Sequence, residues 1–372
     1  MTDQARLLLA SLINTLTEGG HLRSTAWQQA AEAVPRHEFL RGGFFRRVQD
    51  AVPSAWEPVQ ESDPGWLETC YSDESLVTQV AGTIVPADIR GRIMREPTSS
   101  STLPSLVLRM LEDLQVEPGM RVLEIGTGTG YSTALLAQRL GEENVTSIEY
   151  DEDVAARART ALGRLGIHPT LVTGDGLDGY ADGAPYDRII ATCGVRTVPP
   201  AWIAQTRPGG IVLATVGGRL GPSELARLTV HDDGTASGPL LGGQVSFMLA
   251  RPHLPPPLGL LPDMSVGQER GTSVGADVLD GWTSRFVVQA AVPEAQHLTL
   301  EHDGCREDVL IDVASGSWAL HHDGRRWTVR QDGPHALWDS VEEHLQRWRE
   351  AGAPDLARCT LHVTPGGDSC RW

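Results

Sequence analysis

The chain has 372 residues and a formal net charge of −17 at neutral pH. That length exceeds the usual single domain, and the acidity argues against nucleic acid as the main partner, since phosphate binding needs a basic face. All 31 Lys-plus-Arg positions are arginine, which excludes a lysine nucleophile or Schiff base. The opening stretch MTDQARLLLASLINTLTEGG has apolar residues at helical spacing and lacks the pattern of a signal peptide. No apolar run approaches the length of a membrane span, so a soluble, cytoplasmic protein is expected. Cys70, Cys193, Cys305, Cys359 and Cys370 are scattered without paired spacing, and reduced thiols are expected.

Residues 1–50 keep helical spacing up to VPRHEFLRGG, and 51–75, rich in Pro, acid and Trp, read as irregular structure. From 105 to about 250, short apolar runs alternate with helical segments: VLEIG, TALLAQRL, VTSIEY, VAARARTALGRLG, PTLVTGD, YDRIIATCG, AWIAQTRPGG and IVLATVG. Such alternation predicts an α/β fold with a mainly parallel, doubly wound sheet. RPHLPPPLGLLP, 251–262, is the expected linker. Beyond it, strand-like stretches joined by Asp-Gly turns precede a helix whose Leu337, Trp338, Val341, Leu345 and Trp348 share one face, and TLHVTPGG supplies a last strand. The expected division is therefore 1–250 (a helical region 1–104, then a ligand-binding core 105–250), a linker, and a smaller α+β domain over 263–372. His321 and His322 sit in a strand-like stretch where neighbours point to opposite faces, so no metal site is assigned to them or elsewhere.

VLEIGTGTGYS, 122–132, is a strand running into a glycine-rich turn and a helix. Gly126, Gly128 and Gly130 permit a sharp turn and close approach to a ligand. A dinucleotide site would want Gly or Ala at 131, where this chain has Tyr131, so a nucleoside without pyrophosphate fits better. Glu149, at the end of VTSIEY, suits ribose hydroxyls, Tyr150 an adenine face, and Asp175, at the end of PTLVTGD, an adenine amino group. The run SSST at 99–102 stands directly before LPSLVLRML. One hydroxyl there would cap a helix that starts at Pro104, and the others would face a reacting group.

These residues resemble the class I S-adenosylmethionine-dependent methyltransferases, and more narrowly the protein-L-isoaspartate O-methyltransferase family. The narrower resemblance rests on AVPRHEFL, YSDESL, PSLVLRMLEDLQVEPGMRVLEIGTGTGYSTALLA, VTGDGLDGYADGAPYDRIIATCG and VPPAWIAQTRPGGIVLATVGG, within about residues 10–250. It implies S-adenosylmethionine as cofactor, leaving as S-adenosylhomocysteine, with contacts from Glu124, Gly126, Thr127, Gly128, Glu149, Tyr150, Asp175 and Gly176. The family's TxSxP motif, aligned on Pro104, puts Thr102 at the serine and Ser100 at the threonine, or Ser101 if the loop shifts by one. These hydroxyls would orient a carboxylate for methylation. Arg90, Arg92 and Arg95 are candidates for peptide contacts or plain solvated surface.

Two stretches depart from the family pattern: an insertion, VTQVAGTIVPADIRGRIMREP, and the tail after 250. The modified hydroxyl run, together with a tail that ends in a Trp-rich helix and TLHVTPGG, resembles the branch of methyltransferases that accompany ATP-grasp peptide ligases. That resemblance implies a precursor peptide partner, macrocyclised by such a ligase into a graspetide and methylated on an Asp side chain, which then closes to an aspartimide. The alternatives are isoaspartate repair and a peptide-binding scaffold without turnover. No nucleic acid or membrane partner is expected.

Overall fold

Residues 1–302, 304–323 and 326–371 are described by a computed structural model. The chain divides into two units, one of Met1–Thr192, Pro199–Leu213 and Thr229–Gly234, the other of Cys193–Val198, Ala214–Leu228 and the chain from Thr235 onward.

The first unit opens with α1 (Asp3–Glu18), capped by Thr2, which buries Ala5, Leu9, Leu12, Ile13 and Leu16 at helical spacing. Ser24 caps α2 (Thr25–Ala33), and a 3-10 turn comes next at Arg36–Phe39. The region to 104 is not simply helical. It holds β1 (Phe44–Arg47), β2 (Trp56–Val59), α3 (Trp66–Cys70), β3 (Leu76–Val80) and β4 (Pro97–Ser101), and its strands form an antiparallel sheet in the order β2-β1-β3-β4. The expected insertion, residues 77–97, thus covers all of β3 but Leu76, the β3–β4 connection and the first residue of β4, with Leu76 opposite Ser101 and Val77 opposite Ser100.

Ser99–Ser101 of the hydroxyl run form the end of β4 with Thr102 just beyond it, and none of these side chains caps the helix that follows. Leu103 is the N-cap of α4 (Pro104–Asp113) and makes no side-chain capping bond. The capping acceptors come from YSDESL instead: Leu103 N–H donates to Ser75 Oγ at 3.1 Å and Ser105 N–H to Asp73 Oδ1 at 2.8 Å. The local expectation fails because acceptors about thirty residues upstream occupy these amides.

The α/β expectation holds for the next eight elements: β5 (Val122–Ile125), α5 (Tyr131–Leu140), β6 (Val145–Glu149), α6 (Glu152–Arg164), β7 (Thr170–Thr173), β8 (Tyr186–Val195), α7 (Pro200–Gln205) and β9 (Thr206–Gly217). The order is β9-β8-β5-β6-β7, and the pairs β5/β6, β5/β8 and β6/β7 are parallel. All four residues of the central strand β5 are buried, the apolar Val122, Leu123 and Ile125 as strand burial on both faces requires, and Glu124 with them.

The second unit contains most of β10 (Ser223–Val230), and all of β11 (Ala236–Pro239), β12 (Gln268–Gly271), α8 (Trp282–Ala291), β13 (Gln296–His302), β14 (Cys305–Asp312), β15 (Ser317–Asp323), β16 (Trp327–Asp332), α9 (Leu337–Glu350), β17 (Thr360–Thr364) and β18 (Gly367–Arg371). An antiparallel five-stranded sheet runs β12-β16-β15-β14-β13. Leu337, Trp338, Val341 and Leu345 of α9 enter its core with Val287, Leu310 and Val329, and Trp348 packs at the edge. His321 points into this core, with Nε2 3.1 Å from the Val274 carbonyl and its ring against Trp338, while His322 lies beside Glu307. The Asp-Gly turns at 303–304 and 323–324 fall partly outside the described residues. The proline-rich stretch is not the boundary between units. β11, before it, pairs with β17, after it, from Ala236 opposite Val363 to Pro239 opposite Thr360, so both sides of the stretch share one sheet.

Candidate active site

At the end of β5 the chain turns through Gly126 (φ 94°), Gly128 (φ 55°) and Gly130 (φ 90°), backbone conformations that only glycine adopts without cost. The turn stays tied to the sheet. Gly126 and Thr127 N–H both donate to the Ile148 carbonyl, at 2.8 and 3.1 Å, and Thr192 Oγ1 donates to the carbonyls of Ile125 and Gly126. Glu149, at the end of β6, clamps the turn from the other side. Its carboxylate accepts from Gly128 N–H at 2.9 Å and from Asp151 N–H at 3.1 Å.

Glu124 lies beneath this turn and is wholly buried. Its Oε2 accepts from Thr133 and Ser147, and Ser147 also pairs with Thr127 Oγ1 at 2.7 Å. Burial raises the Glu124 pKa, against the pull of the hydroxyls around it. Glu124 therefore anchors the turn from below, and Thr127 is buried with it. Tyr150 is 51% exposed and stands beside Glu149.

At the end of β7, Asp175 caps its own 3-10 turn by accepting from Leu177 N–H at 2.9 Å. Gly176 comes next, pressed so close to β5 that a Cβ there would fall 2.5 Å from Ile125 Cγ2. Trp202 Nε1–H donates to the Gly176 carbonyl at 2.8 Å and holds the turn in place. Glycine turn, Glu149, Tyr150, Asp175 and Gly176 thus stand at the carboxyl ends of adjacent parallel strands, where such sheets bind ligands.

The hydroxyl strand reaches the same end of the sheet. A Cβ on Gly128 would lie 3.5 Å from the Ser100 carbonyl oxygen. Along β4, Ser99 and Ser101 are buried while Ser100, and Thr102 just beyond, are half-buried, in keeping with strand alternation. Ser99 Oγ accepts from Thr78 and Ser101 Oγ from Arg36. The hydroxyls of Ser100 and Thr102 carry no hydrogen bond among the described residues. Of the upstream arginines, Arg92 pairs with Glu57 at 2.7 Å and Arg95 donates weakly to the Met94 carbonyl.

A cavity of about 410 Å³, large enough for a small ligand, borders Gly128, Thr129, Ser99, Thr78 and the Val154, Arg157 and Ala161 side of α6. Glu149, Tyr150 and Asp175 do not line it, so it adjoins the nucleoside contacts without containing them.

Sequence reasoning passed over several residues that build the site. Arg36 lies inside AVPRHEFL, and Asp73 and Ser75 inside YSDESL; both stretches stand out in the sequence, but nothing local reveals what these side chains hold. Ser147, Thr133, Thr192 and Trp202 likewise act only across strands.

The site residues suit S-adenosylmethionine on the observations above. The turn is free of side chains where Gly128 meets the hydroxyl strand, and Glu149 and Asp175 place carboxylate acceptors at the strand ends beside it. Tyr131, buried at the start of α5 with its ring edge against Phe39, fills the position where a pyrophosphate fold keeps a small residue.

Residues 76–240 match the family described as protein-L-isoaspartate(D-aspartate) O-methyltransferase. The chain is 32% identical over 253 residues to the protein-L-isoaspartate O-methyltransferase of Methanothermobacter thermautotrophicus, covering 65% of this chain and 97% of that protein. It is 47% identical over 174 residues to the protein of the same name from Anaeromyxobacter dehalogenans, covering 46% and 74%. With that of Thermotoga maritima it shares 39% over 140 residues, 37% of this chain and 44% of that one. A solved structure of a protein-L-isoaspartate O-methyltransferase matches with a TM-score of 0.59 at 24% identity, over 98% of this chain and 99% of its own. At that identity the likeness concerns the fold, and it extends over the C-terminal part.

Proposed function

This chain belongs to the protein-L-isoaspartate O-methyltransferase family, hence to the S-adenosylmethionine-dependent protein carboxyl methyltransferases, and on that premise we propose that it methylates the free carboxylate of isoaspartyl residues in damaged proteins. The observation that carries the proposal is the approach of the hydroxyl strand to the glycine turn, with the Ser100 carbonyl 3.5 Å from where a Gly128 side chain would begin.

S-adenosylmethionine, when bound, supplies an electrophilic methyl group. Gly126, Thr127, Gly128, Glu149, Tyr150, Asp175 and Gly176 would hold it, with Glu124 supporting the turn from beneath. A carboxylate is already ionised at neutral pH and needs no general base, so alignment and exclusion of water are what the protein contributes. Thr102 and Ser100 donate hydrogen bonds that orient one carboxylate oxygen. Thr102 keeps its proton throughout. The released ester is then open to attack by the neighbouring backbone nitrogen: an N–C bond forms, the C–O bond to methoxide breaks, and the amide proton leaves with it as methanol, giving a succinimide. Hydrolysis of that ring regenerates aspartyl and isoaspartyl chains.

The second reading is tailoring of a ring-closed, ATP-grasp-made precursor peptide to an aspartimide. The tail suggests it, but a fold that includes such a tail also occurs in a protein bearing the isoaspartate name, so the tail does not separate the readings. Thr102 in place of serine, with its added methyl, is what still favours it. Mass spectrometry of the protein with S-adenosylmethionine and three peptides distinguishes them: isoaspartyl, linear acidic and crosslinked. Methyl gain on the isoaspartyl peptide is expected. Gain on the crosslinked peptide alone would move the assignment to tailoring, and absence of S-adenosylmethionine binding in calorimetry would leave a non-catalytic scaffold.

A further inference from the structure

Arg36 is completely buried, yet among the described residues no carboxylate is bonded to it. Its Nε donates to Ser101 Oγ at 3.4 Å. Nη1 donates to the carbonyls of Cys70 and Ser72 at 3.1 and 2.9 Å, and Nη2 to those of Glu74, Ser101 and Thr102 at 2.8, 3.2 and 3.2 Å. Burial lowers its pKa, and the nearby Tyr131, Cys70, Asp73 and Glu74 pull in the other direction. Guanidinium remains charged under such a shift and offers a planar fork of donors that an ammonium lacks.

The same region is held from its other side. Ser75 and Asp73 accept the amides of Leu103 and Ser105. Arg36 grips the carbonyls of 101 and 102 directly, and through the carbonyls of 70, 72 and 74 it also holds the segment that carries Asp73 and Ser75. Backbone at Thr102 is therefore fixed on both sides, while the Thr102 hydroxyl is left without a hydrogen bond among the described residues. An arrangement that immobilises the chain and spares the hydroxyl is what orientation of a substrate oxygen requires.

We propose that Arg36 is a positioning residue for methyl transfer, acting through Thr102 by fixing the backbone at 101–102. This rests on the carboxyl-methylation reading above. An arginine that only supported the fold would lower stability and leave turnover per folded molecule unchanged.

The test uses the full chain with Arg36→Lys, Ser75→Ala and Thr102→Ala, singly and as Arg36→Lys/Thr102→Ala. Melting temperature, S-adenosylmethionine affinity by calorimetry, and kcat and KM are measured on whichever carboxyl peptide the parent methylates. Arg36→Lys is expected to lower kcat about tenfold to a hundredfold, as a small misplacement of a reacting group does. Cofactor affinity should stay within about twofold, and in the Thr102→Ala background the same change should cost less than about threefold. Losses that multiply across the double variant, or a loss confined to cofactor affinity, would overturn the proposal. Should Arg36→Lys not fold, the exposed Ser75→Ala decides by the same split, with a kcat loss expected and an unchanged kcat counting against it. Should the parent bind cofactor but methylate no carboxyl peptide, the functional reading falls, and Arg36 is judged by hydrogen exchange. Weakened protection of the Leu103 and Ser105 amides in the folded variant would support its hold on the strand, and unchanged protection would refute it.

Discussion

Replacement of Gly176 by alanine isolates one contact that shapes the cofactor site. Its backbone does not occupy the left-handed region, so alanine meets no conformational penalty there. The new Cβ would stand 2.5 Å from Ile125 Cγ2, against an ordinary carbon contact of about 3.5–4.0 Å. Roughly 1 Å of movement is needed, and neither side yields freely. Ile125 is buried at the end of the central strand, and the Gly176 carbonyl is held by Trp202. Overpacking of this kind costs about 1–3 kcal/mol. At about 2 kcal/mol the melting temperature should fall by roughly 4–8 °C in scanning calorimetry. Because the displaced turn carries Asp175, S-adenosylmethionine affinity should fall about tenfold, equivalent to about 1.4 kcal/mol. Shortening the partner, Ile125→Ala, makes room for the new methyl. The alanine at 176 should therefore cost less than half as much in that background, a coupling of about 1 kcal/mol. Equal costs in both backgrounds would refute the reasoning, since the collision would then not lie where the geometry puts it.

Thr102→Ala should lower kcat about tenfold to a hundredfold while leaving cofactor affinity unchanged, and a variant that turns over normally would remove Thr102 from the mechanism. Glu149→Ala releases the amides of Gly128 and Asp151 and should weaken S-adenosylmethionine binding at least about tenfold by calorimetry, with parental affinity as the contrary result. Burial lifts the Asp368 carboxyl to about 6, despite the amide of Val198 donating to it. A carboxyl raised in the folded state favours folding when protonated, so its contribution is complete below the ordinary value of 3.8 and is lost as pH climbs to about 6. The ceiling is about 3 kcal/mol, less whatever solvent screening removes. Asp368→Asn should therefore flatten the stability profile between those two values, and an unchanged profile would count against the burial argument. Burial also pushes the thiols of Cys70 and Cys359 up to about 12 and about 11, so an alkylating reagent at pH 8 should leave both unlabelled until the chain unfolds.

What could be read from the sequence was the part whose causes are local. VLEI is apolar enough to be a strand buried on both faces, its glycine turn comes at once, and the α9 stripe has helical spacing. The N-terminal sheet was not readable in this way. β4 is PTSSS, with neither alternating apolar residues nor aromatic side chains, and it is a strand because β3 pairs with it and Arg36 holds its end. The capping of α4 departs from the local pattern for a related reason: four hydroxyls adjoin the helix, but Asp73 and Ser75 arrive from about thirty residues away. The place of the proline-rich stretch depended on β11 meeting β17, a pairing more than a hundred residues apart in the chain. Among the candidate site residues, those at strand ends were legible because a parallel sheet brings strand ends together. Glu124 was legible as part of the motif, and its support of the turn from below became visible only with Ser147 and Thr133 in place.

Five of the six acceptors around Arg36 are main-chain carbonyls. An acceptor supplied by the backbone is the same whatever side chain hangs beside it, so the arginine imposes a rule of spacing on its partners and almost none of identity. As far as Arg36 is concerned, the side chains of Ser72 and Glu74 can change, whereas Asp73 must stay for the cap on Ser105, and the segment tolerates neither a gained nor a lost residue, because carbonyls of alternate residues must arrive together at one plane. Within this site, then, a deletion of one exposed residue is a graver change than the replacement of several.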